Sequence, residues 1–375
     1  MEIKKLVDEK KDIYEYLMIF VEITNFEKFD FNDLIKFISK YLKTQEEFNQ
    51  FLLLILHIFN NHHRQPNFLN KIFQILRSLS KEIKQLLSNQ EIFDIFKSNK
   101  LILLFLFENQ IISFDEYILN YITFSLEAKR ANLIQFFLPE IKKIKEKYEN
   151  DIKYKLDYDN FEENRHIGEN ESYICQLIRD DSVEEFITYT QKTNFSLSNT
   201  KIKQSIFESN SFLNENTPTL IEYAAFFGSV QIFQYLRLNG AEITESLWLY
   251  AIHSNNADLI HLLEELGIKP ADETYEECLL ESIKCHHNDI SRYIEDNLLV
   301  RNVKTEGKLK EDIISCSFCY SNYKYFPYEF DKYYAFLYLD RYNHSKLVNI
   351  FIENEKKKVE RIKIFNFFFF NQIPD

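Results

Sequence analysis

The feature that most constrains this chain is its shortage of glycine and proline. It has only 5 Gly and 6 Pro in 375 residues, whereas average usage of about 7% and 5% would give roughly 26 and 19. Tight β-hairpins draw on glycine for positive φ, and a sandwich or barrel needs such a turn every ~8–12 residues. No two glycines lie close together, which excludes the Gly-rich phosphate loops of Rossmann and P-loop proteins. The sequence therefore favours helices joined by short connections.

Composition and charge further restrict the kinds of protein that this chain can be. Hydrophobic residues make up 45% of the chain, enough for a packed core. The net charge of −13 is opposite to the basic patch that nucleic-acid binding needs. The longest apolar runs, 51–59 and 101–107, are far shorter than the ~20 residues of a membrane-spanning helix, and the charged N-terminus lacks the apolar region of a signal peptide. With five cysteines in no framework spacing, we expect reduced thiols and a cytoplasmic location.

Apolar spacing predicts helices along the whole chain. Residues 31–42 carry apolar side chains at i, i+3, i+4 and i+7, the period of an amphipathic helix. Short polar joints favour antiparallel helical hairpins. We predict an all-α fold, an α-solenoid with little or no β-structure, in three segments: a helical array at 1–165, repeats at 166–300, and degenerate repeats with a cap at 301–375.

Internal repeats stand out in the middle segment. Residues 223–232 align with residues 250–259 at an offset of 27, and a further offset of 31 carries Ala251 onto Ser282. Upstream, residues 177–183 match 224–230 at an offset of 47. Each unit is predicted as a short helix, a tight turn and a second helix. The small residues Ala224, Ala251 and Ser282 let neighbouring first helices approach closely, and stacked units bury the apolar face that one unit leaves open.

The repeats resemble a known family. Residues 219–229, TLIEYAAFFGS, resemble the ankyrin core T-P-L-H-x-A-A-x-x-G-H, and Asn239-Gly240-Ala241 resembles its closing x-G-A. The segments SIFESNSFL, TLIEYAAFFGSVQIF, LWLYAIHSNNADLIHLLEE and ESIKCHHNDI are similar to a divergent ankyrin-like domain, without assigned function, of a greatly expanded protist parasite family. The resemblance covers 170–300 strongly and the N-terminal part only loosely.

Two departures from the ankyrin pattern affect the expected structure. Glu222 and then Leu249 replace the motif histidine, which puts its usual hydrogen bond between repeats in doubt. The 27-residue offset is also short of the ~33-residue ankyrin period, and the missing residues fall between Ile243 and Leu247, where the β-hairpin finger would lie. We therefore expect helix pairs with clipped loops.

In an ankyrin-like array the residues flanking the small pair face the concave surface. Here they include Tyr223, Phe226, Phe227, Tyr250 and His253. Exposed aromatic residues in such numbers usually mark a contact site, so we predict a partner-binding role for these five. The alternative is that neighbouring helices cover them because the fingers are short. Burial of Phe226 and Tyr250 under the same chain would decide for the alternative.

One cysteine and histidine cluster could bind zinc. Cys316 and Cys319 have C-x-x-C spacing, and Cys285 and His286 would complete a set of four ligands. The repeat alignment instead places 285–287 at an ordinary turn between helices, which favours a structural role. Catalysis by Cys285 would need a third group to orient a histidine base, and the sequence identifies none. No catalytic motif is present, so we expect no enzyme and no cofactor.

These observations favour a non-enzymatic scaffold or adaptor for protein–protein interactions. We expect a monomer that binds other proteins and no nucleic acid. The alternatives are a zinc-binding helical protein and a regulatory adaptor in protein turnover. The apolar C-terminal tail at 362–370 could be a terminal cap on the array, an exposed docking segment or a disordered end.

Overall fold

A computed structural model of the protein describes residues 2–22, 30–63, 67–123, 128–145, 159–300 and 306–325, with positions 341, 349, 352 and 353. The described residues form 21 α-helices, which in chain order are α1 Glu2–Glu22, α2 Phe31–Tyr41, α3 Gln45–Asn61, α4 Phe68–Ser78, α5 Ser80–Leu86, α6 Asn89–Phe96, α7 Lys100–Glu108, α8 Glu116–Thr123, α9 Ala128–Phe136, α10 Leu138–Lys145, α11 Phe161–Ile167, α12 Tyr173–Arg179, α13 Val183–Thr193, α14 Ser211–Asn216, α15 Leu220–Phe227, α16 Val230–Leu238, α17 Leu247–Ser254, α18 Ala257–Glu265, α19 Glu276–Lys284, α20 Asn288–Tyr293 and α21 Glu306–Cys319.

The described residues contain no β-strand, which confirms the predicted all-α class for that part of the chain. A π-helix, Ile294–Leu298, follows α20, and a 3-10 helix, Tyr323–Tyr325, follows α21. An isolated antiparallel bridge joins Lys201 and Thr219. The loop 241–246, where the sequence predicts a clipped connection, has no strand.

The chain divides into two compact units, one of Met1–Leu54 with Asn302–Asp375 and one of Ile55–Arg301. This division differs from the three segments expected from the sequence, because the expected boundary at 165 falls inside the second unit. His166 Nε2 lies 2.9 Å from Glu108 Oε1, and the Lys100 ammonium donates to the Ile206 carbonyl. These bonds join the two sides of the expected boundary. The predicted helical pair near 333–351 lies almost entirely outside the described residues, and the apolar tail lies wholly outside them.

In the first unit, α1 packs against α2 and against the 3-10 helix. Leu17 of α1 and Leu34 and Ile38 of α2 are fully buried. The Asp30 carboxylate caps α2 by accepting from the backbone N–H of Asn32 at 2.8 Å, which satisfies a donor that the first turn leaves open. The predicted helix at 31–42 is confirmed.

In the second unit, the N-terminal helices follow from local sequence signals. Ser88 and Glu91 form a capping box at the start of α6, with the Glu91 carboxylate accepting from the Ser88 N–H at 2.8 Å. Helix α7 is apolar on every side, and its residues 101–106 are all buried. A helix that is hydrophobic all round belongs in the interior, which accounts for the apolar run that begins at Leu101.

Four helix pairs occupy residues 173–293: α12 with α13, α15 with α16, α17 with α18, and α19 with α20. The first helix of each pair contacts the first helix of the next pair. Each turn within a pair has one residue at positive φ, and these are Asp181 (50°), Gly228 (67°), Asn255 (51°) and His286 (61°). They are spaced by 47, 27 and 31 residues, the same offsets that the sequence alignment gives.

Candidate functional site

The five aromatic and histidine side chains predicted to face a partner are buried. Tyr223 and Phe226 are 1% exposed, His253 is 2% exposed, and Phe227 and Tyr250 are 4% exposed. The prediction of a solvent-facing aromatic surface is therefore wrong, because these residues pack inside the protein. This is the outcome that the alternative interpretation required.

The cover comes from residues outside the aligned repeats. Phe212 of α14 lies 4.0 Å from the His253 ring centroid and 5.0 Å from that of Tyr250. The His63 ring stacks on Phe226 with centroids 4.5 Å apart and planes 5° apart. Aromatic contacts of this kind are worth about 0.5–1.5 kcal/mol beyond the area they bury. The face of the first helices that was expected to be open to solvent is thus covered by the same chain.

Successive pairs are also joined by polar contacts. The Ser229 hydroxyl donates to the Ile178 carbonyl, and the Asn256 amide donates to the Gly228 carbonyl at 3.2 Å. The Glu222 carboxylate caps α15 and also accepts from the Ser246 hydroxyl of the next pair. Glu222, which stands where the predicted resemblance would place a histidine, therefore makes a hydrogen bond between successive pairs.

Histidine side chains line the interior beside the last pair. The two ring nitrogens of His287 lie 2.7 Å from the Ile252 carbonyl oxygen and 3.1 Å from that of Asn61. Two acceptors favour the doubly protonated ring, but complete burial outweighs them and lowers the pKa of His287 to about 4. His287 is therefore neutral near pH 7.

His62 packs edge-on against His287, with ring centroids 4.9 Å apart. It is 3% exposed, and neither of its ring nitrogens makes a hydrogen bond. Burial lowers its pKa well below the usual value, and the neighbouring imidazoles lower it further. Neutral buried imidazoles of this type resist protonation. Because the unfolded chain takes up these protons more readily, the folded state loses stability as the pH falls.

A thiol, an imidazole and a carboxylate lie in a row between α17 and α19. Cys285 Sγ lies 3.5 Å from His253 Nδ1, and His253 Nε2 lies 2.8 Å from Glu281 Oε1. The Lys284 ammonium donates to the same carboxylate oxygen at 2.8 Å. Only this set among the described residues brings three potential metal donors within 4.8 Å of one another.

The protonation of this row follows from its surroundings. Burial alone would raise the pKa of Glu281, but the His253 hydrogen bond and the Lys284 ammonium lower it to about 2. Burial lowers the pKa of His253 although Glu281 opposes this. We therefore assign a neutral His253 that donates from Nε2 to an ionised Glu281, which leaves Nδ1 to accept from the Cys285 thiol.

Of the four predicted zinc ligands, Cys285 alone belongs to this row. His286 occupies the left-handed turn position, and its ring lies against that of His57 with centroids 6.5 Å apart. Cys316 and Cys319 lie at the end of α21 in the other unit, and both are partly exposed. No group of three converging donors among the described residues contains His286, Cys316 or Cys319.

Sequence reasoning missed Glu281, the group that orients His253. Glu281 and Cys285 are four positions apart, so they share one face of a helix, and this face meets α17. The row has the order of a cysteine–histidine–carboxylate triad, but the Cys285 side chain is fully buried. Its burial keeps substrates from the thiol, so the arrangement favours a ligand that a buried site can hold.

A second polar feature is a partly open pocket of about 80 Å³ whose lining includes Glu208, His63, Phe226 and Phe227. The Glu208 side chain accepts from the Asn210 N–H at 2.9 Å through Oε1, while Oε2 makes no hydrogen bond. Burial raises the pKa of Glu208 to about 7. This buried carboxyl is thus close to its titration midpoint at neutral pH.

The excess negative charge of the chain lies in one segment. Residues 171–300 contain 8 Lys and Arg against 21 Asp and Glu, a net charge of −13, while the other residues have 37 of each kind. The ends of the last three helix pairs combine this charge with exposed apolar side chains. The apolar side chains at these ends are Leu238 (73% exposed), Ile243 (38%), Leu266 (36%) and Val300 (53%).

Comparison of the chain with protein-family models, with curated proteins and with solved structures returns no match. The ankyrin-like resemblance therefore stays a prediction from the sequence. Across the described part of the chain, no helix combines the length and the apolar character that crossing a membrane requires.

Proposed function

We propose that this protein is a scaffold or adaptor that binds basic protein partners through the outer ends of ankyrin-like helix pairs. The observation that carries the proposal is the repeated combination of acidic and apolar side chains at these ends. Glu242 and Glu245 flank Ile243 in the loop after α16, and Glu265 precedes Leu266 after α18; all are exposed. Burial of the predicted aromatic surface moves the proposed contact surface to these ends.

The charge distribution favours basic partners. An excess of 13 negative charges within 130 residues repels nucleic-acid phosphates and attracts cationic surfaces. The exposed apolar side chains supply area that a partner can bury, which gives the larger part of most interface energies. Contacts between successive first helices support a solenoid-like arrangement of the pairs, and we expect the chain itself to be monomeric.

The test compares two charge-and-apolar variants of the full chain. The first, Glu242→Gln/Ile243→Ser/Glu245→Gln, removes two acids and one apolar side chain from the proposed surface. The matched control, Asp12→Asn/Glu15→Gln/Ile19→Ser, makes the same chemical change on one exposed face of α1.

Partners are recovered by affinity capture at two salt concentrations and identified by mass spectrometry. We expect basic proteins that are retained by the wild type and the control, lost with the first variant, and released at high salt because the attraction is screened. Equal retention by both variants, or recovery of acidic partners alone, would contradict the proposal.

A further inference from the structure

We propose that His253, Glu281 and Cys285 form a zinc-binding site in the second unit. The site is separate from the proposed docking surface and does not depend on it. Imidazole nitrogen, thiolate sulfur and carboxylate oxygen are the three kinds of ligand that zinc takes from proteins. A thiolate and an imidazole together disfavour magnesium and calcium, which prefer oxygen ligands.

The donor atoms already lie close to the spacing that a tetrahedral ion imposes. Bonds of about 2.0 Å to nitrogen and oxygen and 2.3 Å to sulfur place N and S about 3.5 Å apart, and N and O about 3.3 Å apart. In the structure His253 Nε2 lies 3.8 Å from Cys285 Sγ and 2.8 Å from Glu281 Oε1. These two spacings lie within about half an ångström of the values for coordination. Cys285 Sγ also lies 3.5 Å from His253 Nδ1, so the Cys285 side chain must turn toward the Nε2 side of the ring to share an ion with it.

The surroundings favour slow exchange of a bound ion with the solvent. His253 is 2% exposed and Cys285 is fully buried, so two ligands approach from the dry interior. Glu281 keeps 16% of its side chain exposed, which gives solvent access to the fourth coordination position. Three protein ligands with one solvent position is a common zinc arrangement.

Zinc binding changes the protonation of the row. The Cys285 thiol loses its proton to solvent to become the thiolate ligand. The His253 proton moves from Nε2 to Nδ1 by exchange with solvent, so the imidazole stays neutral while Nε2 binds the ion. The thiolate and the carboxylate together balance the two charges of the ion. Lys284 opposes binding, because its ammonium occupies the Glu281 oxygen at 2.8 Å and repels the metal.

Cobalt(II) is the probe, because it binds in place of zinc and has absorption bands in the visible range. Metal-free full-length protein is titrated with cobalt under reducing, oxygen-free conditions. We expect one cobalt per chain, with the sulfur-to-cobalt charge-transfer band and the visible bands of four-coordinate cobalt. Added zinc then removes both sets of bands by displacement.

Four variants locate the site. Cys285→Ser removes the sulfur-to-cobalt band, whereas Cys278→Ser, at a buried cysteine of α19 outside the row, keeps it. Glu281→Gln keeps the band and weakens cobalt binding at least tenfold. Lys284→Ala strengthens binding, an effect that a purely structural ion pair would not give.

Three results would overturn the proposal. They are the absence of a sulfur-to-cobalt band in the wild type, a band that survives Cys285→Ser, and a band lost with Cys316→Ser/Cys319→Ser instead. If Cys285→Ser does not fold, Glu281→Gln and Lys284→Ala still decide, because unchanged cobalt affinity in both would refute the site.

Discussion

Two glycines with the same backbone conformation and different surroundings allow a sharp test of the packing between helix pairs. Gly228 ends α15 and Gly267 follows α18, and both have φ of +67°. A Cβ added to Gly228 would lie 3.1 Å from Asn256 Nδ2 and 3.3 Å from Ser254 Cβ. A Cβ added to Gly267 would meet no atom within 4 Å. The two Gly→Ala changes therefore share the backbone cost and differ in the contact.

The expected magnitudes follow from these surroundings. The left-handed conformation costs alanine roughly 1–2 kcal/mol relative to glycine, so Gly267→Ala should lower the free energy of unfolding by about 1 kcal/mol. Gly228→Ala should cost about 1–2 kcal/mol more, because the added methyl displaces Asn256. That side chain caps α18 through the Asp258 N–H at 2.9 Å, and such a cap is worth about 1 kcal/mol.

The assay is urea unfolding followed by tryptophan fluorescence. Trp248, the single tryptophan of the chain, is fully buried in α17 and reports on the second unit. Free energies are compared at equal denaturant slopes, so that a difference in midpoint is a difference in stability. Equal losses in the two variants would refute the close packing of Gly228 against the next pair.

Three further outcomes are expected. Glu222→Ala removes the Glu222 half of the α15 capping box and the bond to Ser246, and should lower the free energy of unfolding by about 2 kcal/mol, against about 1 for Ser246→Ala, measured by urea unfolding. The raised pKa of Glu208, about 7, means that the folded state holds its proton more tightly than the unfolded state. Stability then falls as pH rises from about 4.5 to 7, and Glu208→Gln should remove roughly 1–3 kcal/mol of that loss; parallel pH profiles of the two proteins would contradict this. The lowered pKa of His287, about 4, has the opposite effect on stability. Stability is lost as pH falls from 6.5 to 4, and thermal melts of His287→Gln should show a smaller loss over that range.

The repeat register could be predicted from the sequence because it depends on local signals. A left-handed turn needs glycine, asparagine or another tolerant residue, and the small or apolar residues around it recur with it. The offsets of the alignment therefore match the spacing of Asp181, Gly228, Asn255 and His286 in the structure. Helix starts also depend on local signals, of which the Ser88 capping box is an example.

The burial of the aromatic residues could not be predicted from the repeats alone. Phe212 and His63, which cover Phe226 and His253, lie outside the aligned units, and His63 is 163 positions away from Phe226. No periodicity reports a contact over that distance. The Cys285 row was missed in the same way, because Glu281 is one of many acidic residues until α17 brings His253 to its side.

The contact between His63 and Phe226 has a consequence for the order of events during synthesis. A ribosome adds roughly 5–20 residues per second, so the 163 positions between the two residues take about 8–33 s to make. During that interval the segment that covers the first helices of the pairs exists before the helices themselves. The interior of the second unit is therefore completed late in translation. When the aromatic side chains of α15 and α17 are synthesised, the residues that will cover them already exist.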